Sequence, residues 1–459
     1  MISARYFTLK RSVTMKKQPI FCLCLAAVTA MTGAAFPVMP AAAAAPASPI
    51  INRNGSVYSD QQSTAYAACN DVYYDAWKGV EGSYLAFDLS EVPEAQRKLV
   101  DFAWYSTAWN SYDYTVKKES GQAAPAAYTI SVNAAEGGSY PTEGWVEVAK
   151  VTENVYHSRQ HLVDMEGYRW VQISIETAQS SGSVSLNVDI HDCSSGVDSW
   201  IFYGDSITAG GMTTFSTGDG NFADHVYDLT GCYPAQENGG IGGIFSTDGR
   251  NNIDRWLADF PGTYVSIAYG TNDCWGNQTG AEKYYENLAY MIEAIEAAGK
   301  VAVLPTIPYS TEPGITANIE SYNAQVYAIY EAYPSVIKGP DFYGIIEENP
   351  SYLSGDGVHP NSEGYNAMRK IWAETMAEAI YLAEDVPDAY KAGDVNEDGS
   401  LSMADIVLFA KHLVCETPLD TEHWNVTADL NGDGVLDITD YSLVKRAVLL
   451  VTPMPLGGA

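Results

Sequence analysis

The spacing of apolar residues changes near Val197, and this change constrains the fold more than any other feature of the sequence. Before Val197, short apolar runs are separated by Gly, Pro, Ser and Asn, without helix-length segments between them. After Val197, short apolar runs alternate with longer segments whose apolar residues recur every three or four positions. We therefore expect an all-β domain followed by a domain in which strands and helices alternate.

The first region, residues 50–195, is predicted to be a β-sandwich or jelly roll. Its clearest strand alternates Val171, Ile173 and Ile175 with polar residues, the period of a half-buried strand. Many short strands without intervening helices fit two packed antiparallel sheets. The predicted strands are Leu85–Phe87, Val100–Tyr105, Tyr128–Val132, Trp145–Val151, Trp170–Ile175 and Val184–Ile190. Two interpretations, stacking on sugar rings or filling the core, are open for the aromatic residues Trp104, Tyr105, Trp109, Tyr112 and Tyr114.

The second region, residues 197–385, is predicted to form a three-layer α/β domain around a mostly parallel sheet. Helices between the strands cover both faces of such a sheet. The strands are therefore buried on both sides and consist of short apolar runs. The predicted strands are Trp200–Tyr203, Val265–Tyr269 and Val301–Leu304, and the predicted helices carry Phe222 to Leu229, Tyr284 to Ile295, Ile319 to Ile329 and Tyr365 to Ala379.

Ser206 follows the first of these α/β strands, in the sequence Gly204-Asp205-Ser206. Ligands and chemistry in open α/β sheets occur beyond the carboxyl ends of the strands, so a hydroxyl at this place suits a nucleophile. A serine after Gly-Asp is also common in turns and at helix N-caps. Whether Ser206 is a nucleophile or a turn or N-cap residue therefore depends on which other groups accompany it.

Three later stretches supply the groups that a catalytic serine needs. Residues 238–243 are rich in glycine, so their backbone can approach a ligand and present an amide. Asn272 follows a predicted strand and places a side-chain amide at the same edge of the sheet. Asp356 and His359 stand three residues apart, so the acid can orient the imidazole while the histidine takes the serine proton. Each stretch alone also fits a turn, a helix cap or an exposed histidine.

In these four stretches the chain resembles the SGNH or GDSL hydrolase superfamily, across residues 199–383. The resemblance implies that Ser206 is the nucleophile, His359 the general base and Asp356 the residue that orients it. No cofactor is expected for catalysis.

The resemblance also implies an oxyanion hole. Its donors would be the backbone amides of Ser206 and Gly243 and the side chain of Asn272. Because the segment holds several glycines, the amide of Gly240 or Gly242 is an alternative to that of Gly243. Pocket lining and core packing are both open for Tyr269, Trp275 and Tyr309.

An internal repeat begins near Lys391. Two twelve-residue loops, starting at Asp394 and Asp429, each offer oxygen ligands at positions 1, 3, 5, 9 and 12 with glycine at 6, as in calcium loops. Aspartate at position 12 departs from the glutamate of the usual EF-hand loop. The predicted calcium ligands, with the backbone carbonyl at position 7, are Asp394, Asn396, Asp398, Ser400, Ser402, Asp405, Asp429, Asn431, Asp433, Val435, Asp437 and Asp440.

This repeat, in a predicted domain at residues 391–452, resembles a type I dockerin. The family docks enzymes onto cohesins of a cellulosome scaffoldin, so the resemblance implies two Ca²⁺ ions and a cohesin partner. Positions 10 and 11 of each loop face the cohesin in that family. The matching residues here are Met403, Ala404, Ile438 and Thr439.

Residues 1–45 are predicted to be a signal peptide. Lys16 and Lys17 precede the apolar run Pro19–Ala30, and small residues at Ala41–Ala45 suit cleavage. No later segment is expected to span a bilayer, so secretion is predicted. Two cysteines of the mature chain, Cys232 and Cys274, can form a disulfide or remain buried thiols.

The charge of the chain bears on its partners. A formal net charge of -32 over 459 residues disfavours nucleic acid and anionic membranes. Neutral polysaccharides are therefore favoured. Because no basic cluster awaits an anionic substrate, xylan or mannan is favoured over pectin.

An esterase domain joined to a β-sandwich and a dockerin resembles the carbohydrate esterases of cellulosomes. The sequence therefore predicts a secreted serine esterase, bound to a cellulosome at the cell surface, that removes acetyl groups from plant cell-wall polysaccharide. One alternative is an esterase acting on feruloyl, lipid or peptidoglycan acyl groups. Another is a non-catalytic carbohydrate-binding component with an inert hydrolase domain, which the four intact stretches disfavour.

Overall fold

The computed structural model describes residues 50–70, 72–106, 123–179, 182–212, 220–382, 392–397, 401–414, 419, 421, 423–431 and 434–448. The predicted signal peptide and the residues Trp109, Tyr112 and Tyr114 lie outside these ranges. Every helix within the ranges is too short or too polar to cross a bilayer.

The strands of the described residues belong to three sheets. They are β1 (Ser56–Ser59), β2 (Trp77–Val80), β3 (Tyr84–Asp88), β4 (Leu99–Ser106), β5 (Pro125–Asn133), β6 (Val146–Val151), β7 (Ser158–Asp164), β8 (Trp170–Ala178), β9 (Ser183–Asp192), β10 (Ser199–Gly204), β11 (Ala235–Gly240), β12 (Tyr264–Ala268), β13 (Val301–Leu304) and β14 (Ile337–Lys338).

The α-helices of the described residues all follow β10, except α1. They are α1 (Gln62–Ala65), α2 (Ser206–Gly211), α3 (Phe222–Thr230), α4 (Ser246–Asp259), α5 (Thr271–Cys274), α6 (Ala281–Ala297), α7 (Pro313–Thr316), α8 (Ile319–Ala332), α9 (Phe342–Glu348), α10 (Ser362–Met376), α11 (Met403–Leu413), α12 (Trp424–Thr427) and α13 (Ile438–Val448). A π-helical turn, Ala377–Tyr381, continues α10.

Two antiparallel sheets make up the N-terminal region. One has the strand order β1-β3-β8-β5-β6 and the other β2-β9-β4-β7. Both contribute to one core, for example Ile130 and Ile173 from the first and Phe102 and Val188 from the second. The antiparallel sheets support the prediction of a β-sandwich.

The aromatic residues of β4 are buried. Trp104 belongs to the common core and Tyr105 is 3% exposed, so neither offers a face to a sugar ring. For these two residues, the interpretation as sugar-stacking side chains was therefore wrong.

A single parallel sheet organises the second region, with the strand order β11-β10-β12-β13-β14. Alternate residues of β10 face opposite cores. Trp200 and Phe202 pack with residues of α3 and α10, whereas Ile201 and Tyr203 pack with residues of α4, α6 and α8. The predicted parallel sheet is confirmed, and helices lie on both of its faces.

The edge strand β11 contains part of the glycine-rich segment 238–243. From the sequence, its glycines were expected to let the backbone come close to a ligand. A Cβ atom on Gly239 would lie 2.5 Å from the Tyr203 ring, and one on Gly240 would lie 2.2 Å from the Ala209 backbone nitrogen. These two glycines are thus required by packing against β10 and α2.

The sheet β2-β9-β4-β7 packs against the parallel sheet. Gln160 on β7 donates to the carbonyl of Trp200 at 3.0 Å, and Arg159 pairs with Asp259 of α4 at 2.7 Å. At the junction itself, the Ser199 hydroxyl donates to the Asp101 carboxylate. The two regions therefore share a buried polar interface.

The two cysteines considered for a disulfide, Cys232 and Cys274, lie on opposite faces of the parallel sheet. Cys232 belongs to the core under α3 and α10, and Cys274 to the core under α4 and α6. They form no disulfide with each other.

Asp198, which precedes β10, is fully buried. Its Oδ1 atom accepts hydrogen bonds from Tyr381 at 2.9 Å and Trp200 at 3.2 Å. Burial nevertheless raises the pKa of the Asp198 carboxyl to about 7. The folded state therefore holds this proton more tightly than the unfolded chain does.

We expect Asp198 to lower the free energy of unfolding as the pH rises from about 4 to 7, because only the unfolded chain releases the proton freely in this window. The shift from 3.8 to about 7 corresponds to roughly 4 kcal/mol. In urea denaturation, Asp198→Asn should gain stability relative to wild type between pH 4 and pH 8. The exposed Asp228→Asn variant is the charge-matched control. An Asp198→Asn difference that is equal at both pH values would contradict the prediction.

Candidate functional sites

Ser206 is the first residue of α2 and is separated from the buried end of β10 only by Asp205. Asp205 caps this helix, because its Oδ1 atom accepts the amide of Ile207 at 2.9 Å. Burial raises the pKa of the Asp205 carboxyl to about 7. Asp205 thus holds the turn between β10 and α2, with Ser206 at the start of the helix.

The three residues expected to act together form a continuous hydrogen-bond chain. Ser206 Oγ lies 2.8 Å from His359 Nε2, and His359 Nδ1 lies 2.6 Å from Asp356 Oδ2. The hydrogen bond from His359 is the main reason that the pKa of Asp356 lies well below its usual range, and the Val358 amide adds to it at 2.9 Å. Asp356 is therefore a charged acceptor that fixes the imidazole ring.

The turn that carries Asp356 and His359 is held by hydrogen bonds from a separate segment of the chain. Gly357 has a φ of +72°, and a Cβ atom there would lie 2.4 Å from Thr311 Oγ1. Its carbonyl accepts the Thr311 amide at 2.9 Å and the Ser310 hydroxyl at 2.7 Å. The segment after β13, through Ser310 and Thr311, thus fixes the position of the turn.

The expected oxyanion donors lie beyond the carboxyl ends of neighbouring strands. Gly243 follows β11 and Asn272 follows β12, on either side of β10, which Ser206 follows. Asn272 lies in α5, and its Nδ2 atom donates one hydrogen to the Ile244 carbonyl at 2.9 Å. The Gly240 amide already donates to Asn238 Oδ1 at 2.9 Å, which removes Gly240 from the alternatives. Among the described residues, neither the Gly242 nor the Gly243 amide has a hydrogen-bond partner.

Asp273 takes a part that the sequence did not reveal. Its buried carboxylate accepts hydrogen bonds from Ser246 Oγ at 2.6 Å, from Thr279 Oγ1 at 2.7 Å and from the Ser246 amide at 3.0 Å. Asn272 and Asp273 therefore both hold the segment that follows Gly243. Asp273 stands beside Asn272 in the sequence, but its partner Ser246 lies 27 residues earlier, and no local pattern shows this contact.

The three aromatic residues considered for the pocket lie in different environments. Tyr269 is 3% exposed in the core, and Tyr309 packs edge-on against Tyr343 with ring centroids 5.6 Å apart. Trp275 is 38% exposed. Core packing therefore accounts for Tyr269 and Tyr309 but not for Trp275.

The two predicted calcium loops share the same internal hydrogen bonds. Asp405 Oδ1 accepts the Asn396 amide at 3.2 Å, and Asp440 Oδ1 accepts the Asn431 amide at 3.1 Å. The other oxygens accept the amides of position 9, at 2.8 Å from Ser402 and 3.1 Å from Asp437. The repeat seen in the sequence is thus a repeat in structure.

The donor set of the loops fits a hard cation, because carboxylates buried to this degree need a positive charge nearby. The acids at the first and last loop positions are at most 7% exposed; they are Asp394, Asp405, Asp429 and Asp440. No group of three acidic, histidine or cysteine side chains in metal-binding arrangement occurs within the described ranges. Three expected ligands, Asp398, Ser400 and Asp433, lie outside those ranges.

The four residues expected to face a cohesin begin α11 and α13, and all are exposed: Met403, Ala404, Ile438 and Thr439. Met403 is 59% and Ile438 63% exposed, which is unusual for large apolar side chains. The two helices pack on each other through a small core that includes Phe409 and Val444.

Solved structures similar to this chain include a lipase/acylhydrolase from Enterococcus faecalis, 22% identical, with a TM-score of 0.34. The similarity covers 40% of this chain and 97% of that one. A carbohydrate esterase family 3 structure from Talaromyces cellulolyticus is 21% identical with a TM-score of 0.32, covering 41% of this chain and 99% of that one.

A curated relative is the "Multidomain esterase" of Ruminococcus flavefaciens, 27% identical over 233 residues. The match covers 46% of this chain and 29% of that protein, so the chain spans less than a third of its relative's length. Residues 202–367 match the model of the GDSL-like lipase/acylhydrolase family, and residues 392–449 match that of the dockerin type I domain. The chain therefore contains a GDSL-like lipase/acylhydrolase domain followed by a type I dockerin domain.

Proposed function

We propose that this protein is a serine esterase that removes acetyl groups from plant cell-wall polysaccharide. The hydrogen-bond chain from Ser206 through His359 to Asp356, with distances of 2.8 and 2.6 Å, carries the proposal. The side chain of His359 is 39% exposed and that of Asp356 is 49% exposed. An ester attached to a polymer can therefore reach this hydrogen-bond chain.

In the proposed mechanism, His359 Nε2 takes the proton of Ser206 Oγ as this oxygen attacks the ester carbonyl carbon. The tetrahedral oxyanion is stabilised by the amides of Ser206 and Gly243 and by the Asn272 side chain, each worth about 3 kcal/mol. The sugar alkoxide leaves with the proton from His359, and an acetyl-serine remains. A water molecule, deprotonated by His359, then attacks this ester. His359 returns the proton to Ser206 Oγ as the bond to the acetyl group breaks, and acetate is released.

Asp356 contributes charge to this cycle. Because its pKa lies well below the usual range, it stays ionised while His359 becomes an imidazolium between the proton transfers. An ionised neighbour at 2.6 Å stabilises that cation and holds Nδ1 protonated. The chain's own residues supply every group in the cycle, so the proposal requires no cofactor.

The substrate class rests on context. A similar protein is named a multidomain esterase, and the dockerin domain is the kind that attaches enzymes to cellulosomes. The net charge of -32 favours a neutral backbone such as xylan or mannan over pectin. The proposal includes secretion, a signal peptide at residues 1–45, and domains at residues 50–195, 197–385 and 391–452. Feruloyl, lipid and peptidoglycan esters are the competing substrates.

For the C-terminal domain we propose two Ca²⁺ ions and a cohesin partner. Buried carboxylates at both ends of each loop support the ions, since burial without a cation would be costly. The exposed apolar side chains of Met403 and Ile438 support a protein partner at the starts of α11 and α13.

Replacement of Ser206 by alanine should abolish acetate release from acetylated xylan and mannan. We expect kcat to fall by a factor on the order of 10⁴ or more, because the nucleophile is lost while the binding surface stays. Acetate is measured enzymatically after incubation with each glycan. The exposed Ser321→Ala variant, on the outer side of α8, is the matched control. Equal release by wild type and Ser206→Ala would exclude Ser206 as the nucleophile.

Replacement of Asp273 by alanine should lower kcat about 10- to 100-fold, because the segments that present Gly243 and Asn272 lose their common acceptor. Asp273→Asn keeps one acceptor oxygen and should retain more activity than Asp273→Ala. Both are measured with an aryl acetate, together with the thermal midpoint of unfolding. A lower midpoint with an unchanged kcat would assign Asp273 to stability alone.

Calorimetric titration of the protein with Ca²⁺ should show binding at two sites. Asp394→Ala removes position 1 of the first loop and Asp429→Ala that of the second, so each variant should retain one site and the double variant none. Glu320→Ala, an exposed residue on α8, controls for the change of charge. A trace without heat for the unmodified, calcium-free protein would refute the calcium loops.

A further inference from the structure

Trp275 leaves the end of α5 three residues after Asn272. Its backbone amide closes the helix by donating to the Thr271 carbonyl, and its φ and ψ of -61° and 106° turn the chain out of the helix. The indole therefore belongs to the loop that presents the proposed oxyanion donor. At 38% exposed, it is the most exposed tryptophan in the part of the chain that the structure describes.

The indole is bounded on another side by the segment that holds the catalytic turn. A Cβ atom on Gly314 would lie 2.9 Å from Trp275 Cδ1, so the ring edge rests on the bare backbone of Gly314. The same segment begins with Ser310 and Thr311, which hydrogen-bond to the carbonyl of Gly357, between Asp356 and His359.

Asn318 connects these two loops. Its Nδ2 atom donates to the carbonyl of Cys274 at 3.0 Å and to the carbonyl of Gly314 at 3.0 Å. Cys274, which precedes Trp275, and Gly314, which lies under its ring, are thus both hydrogen-bonded to the Asn318 side chain. Trp275 is held in place by this contact although its ring is exposed.

An exposed indole between the loop that carries Asn272 and the segment that holds the catalytic turn has the chemistry of a sugar-binding surface. The C–H groups on one face of a pyranose carry slight positive charge and pack well on the negative face of an aromatic ring. Trp275 Nε1 has no hydrogen-bond partner among the described residues, so it can donate to a sugar hydroxyl. Trp256, which fills the core under α4, is by contrast only 1% exposed.

We propose that Trp275 forms a binding subsite for a pyranose ring of a neutral polysaccharide, next to the ring whose acetyl ester is cleaved. This inference rests on the proposed function, since it assigns a sugar to the same site. Trp275 then sets the preference for esters on a glycan over esters on a small alcohol.

The first test compares kcat/KM for acetylated xylo- and manno-oligosaccharides with kcat/KM for an aryl acetate. In Trp275→Ala the ratio of the two should fall roughly tenfold, the loss expected for one aromatic contact. Trp275→Phe keeps an aromatic face and should recover part of it. Tyr327→Ala removes an aromatic side chain that is 51% exposed on α8 and should leave the ratio unchanged. A ratio in Trp275→Ala equal to that of wild type would overturn the subsite and leave the proposed function intact.

The second test separates binding from catalysis. In the Ser206→Ala protein, unacetylated xylo- and manno-oligosaccharides are titrated by calorimetry with and without Trp275→Ala. We expect the added substitution to weaken binding roughly tenfold. If wild type releases no acetate from any glycan, weaker binding still supports the subsite while the proposed substrate fails. Equal binding by the two proteins, or no binding to either, overturns the subsite.

Discussion

The burial of β10 on every side is the constraint on which this structure depends. Its residues contact two cores, both neighbouring strands are parallel to it, and the β-sandwich covers its beginning. The last residue of a strand buried in this way must be small enough for the space that its neighbours leave. A Cβ atom on Gly204 would lie 2.7 Å from the Ala268 carbonyl oxygen, so glycine is required there. Asp205 then caps α2, and Ser206 is the first side chain after β10 that can reach solvent.

The arrangement around Ser206 depends on polar side chains that hold backbone. Asp356 orients His359, Asp205 caps α2, and Asp273 joins the loops after β11 and β12. Burial raises the pKa of Asp205 and Asp273, whereas hydrogen bonds to His359 and to backbone amides lower that of Asp356. Buried acids thus serve the framework, and the half-exposed acid is left charged beside the imidazole.

The sequence predicted the elements whose residues repeat with one period. Strand Val301–Leu304 was predicted with its observed bounds, and six of the nine antiparallel strands of the described residues were found to within a few residues. The short strands β1 and β2, of four residues each, were not predicted. It did not predict β7, because that strand carries Arg159 and Gln160 toward the parallel sheet instead of toward water. It also did not predict α4, whose first turns are polar, or β11, whose glycines look like a loop. Ser206, His359 and Asp356 were found because residue type and spacing carry their chemistry, but contacts such as Asp273 to Ser246 are set by the fold.

The contact of β4 and β7 with β11 has a consequence for how the protein is assembled and handled. A parallel sheet that ends at β11 would present an open edge, which in isolation favours pairing between molecules. Here Tyr105 of β4 receives a backbone hydrogen bond from Gln236 on that edge. The N-terminal region leaves the ribosome first and gives this edge a preformed surface to fold against. Removal of the residues before 197 would therefore uncover the β11 edge, and we expect the shortened chain to aggregate.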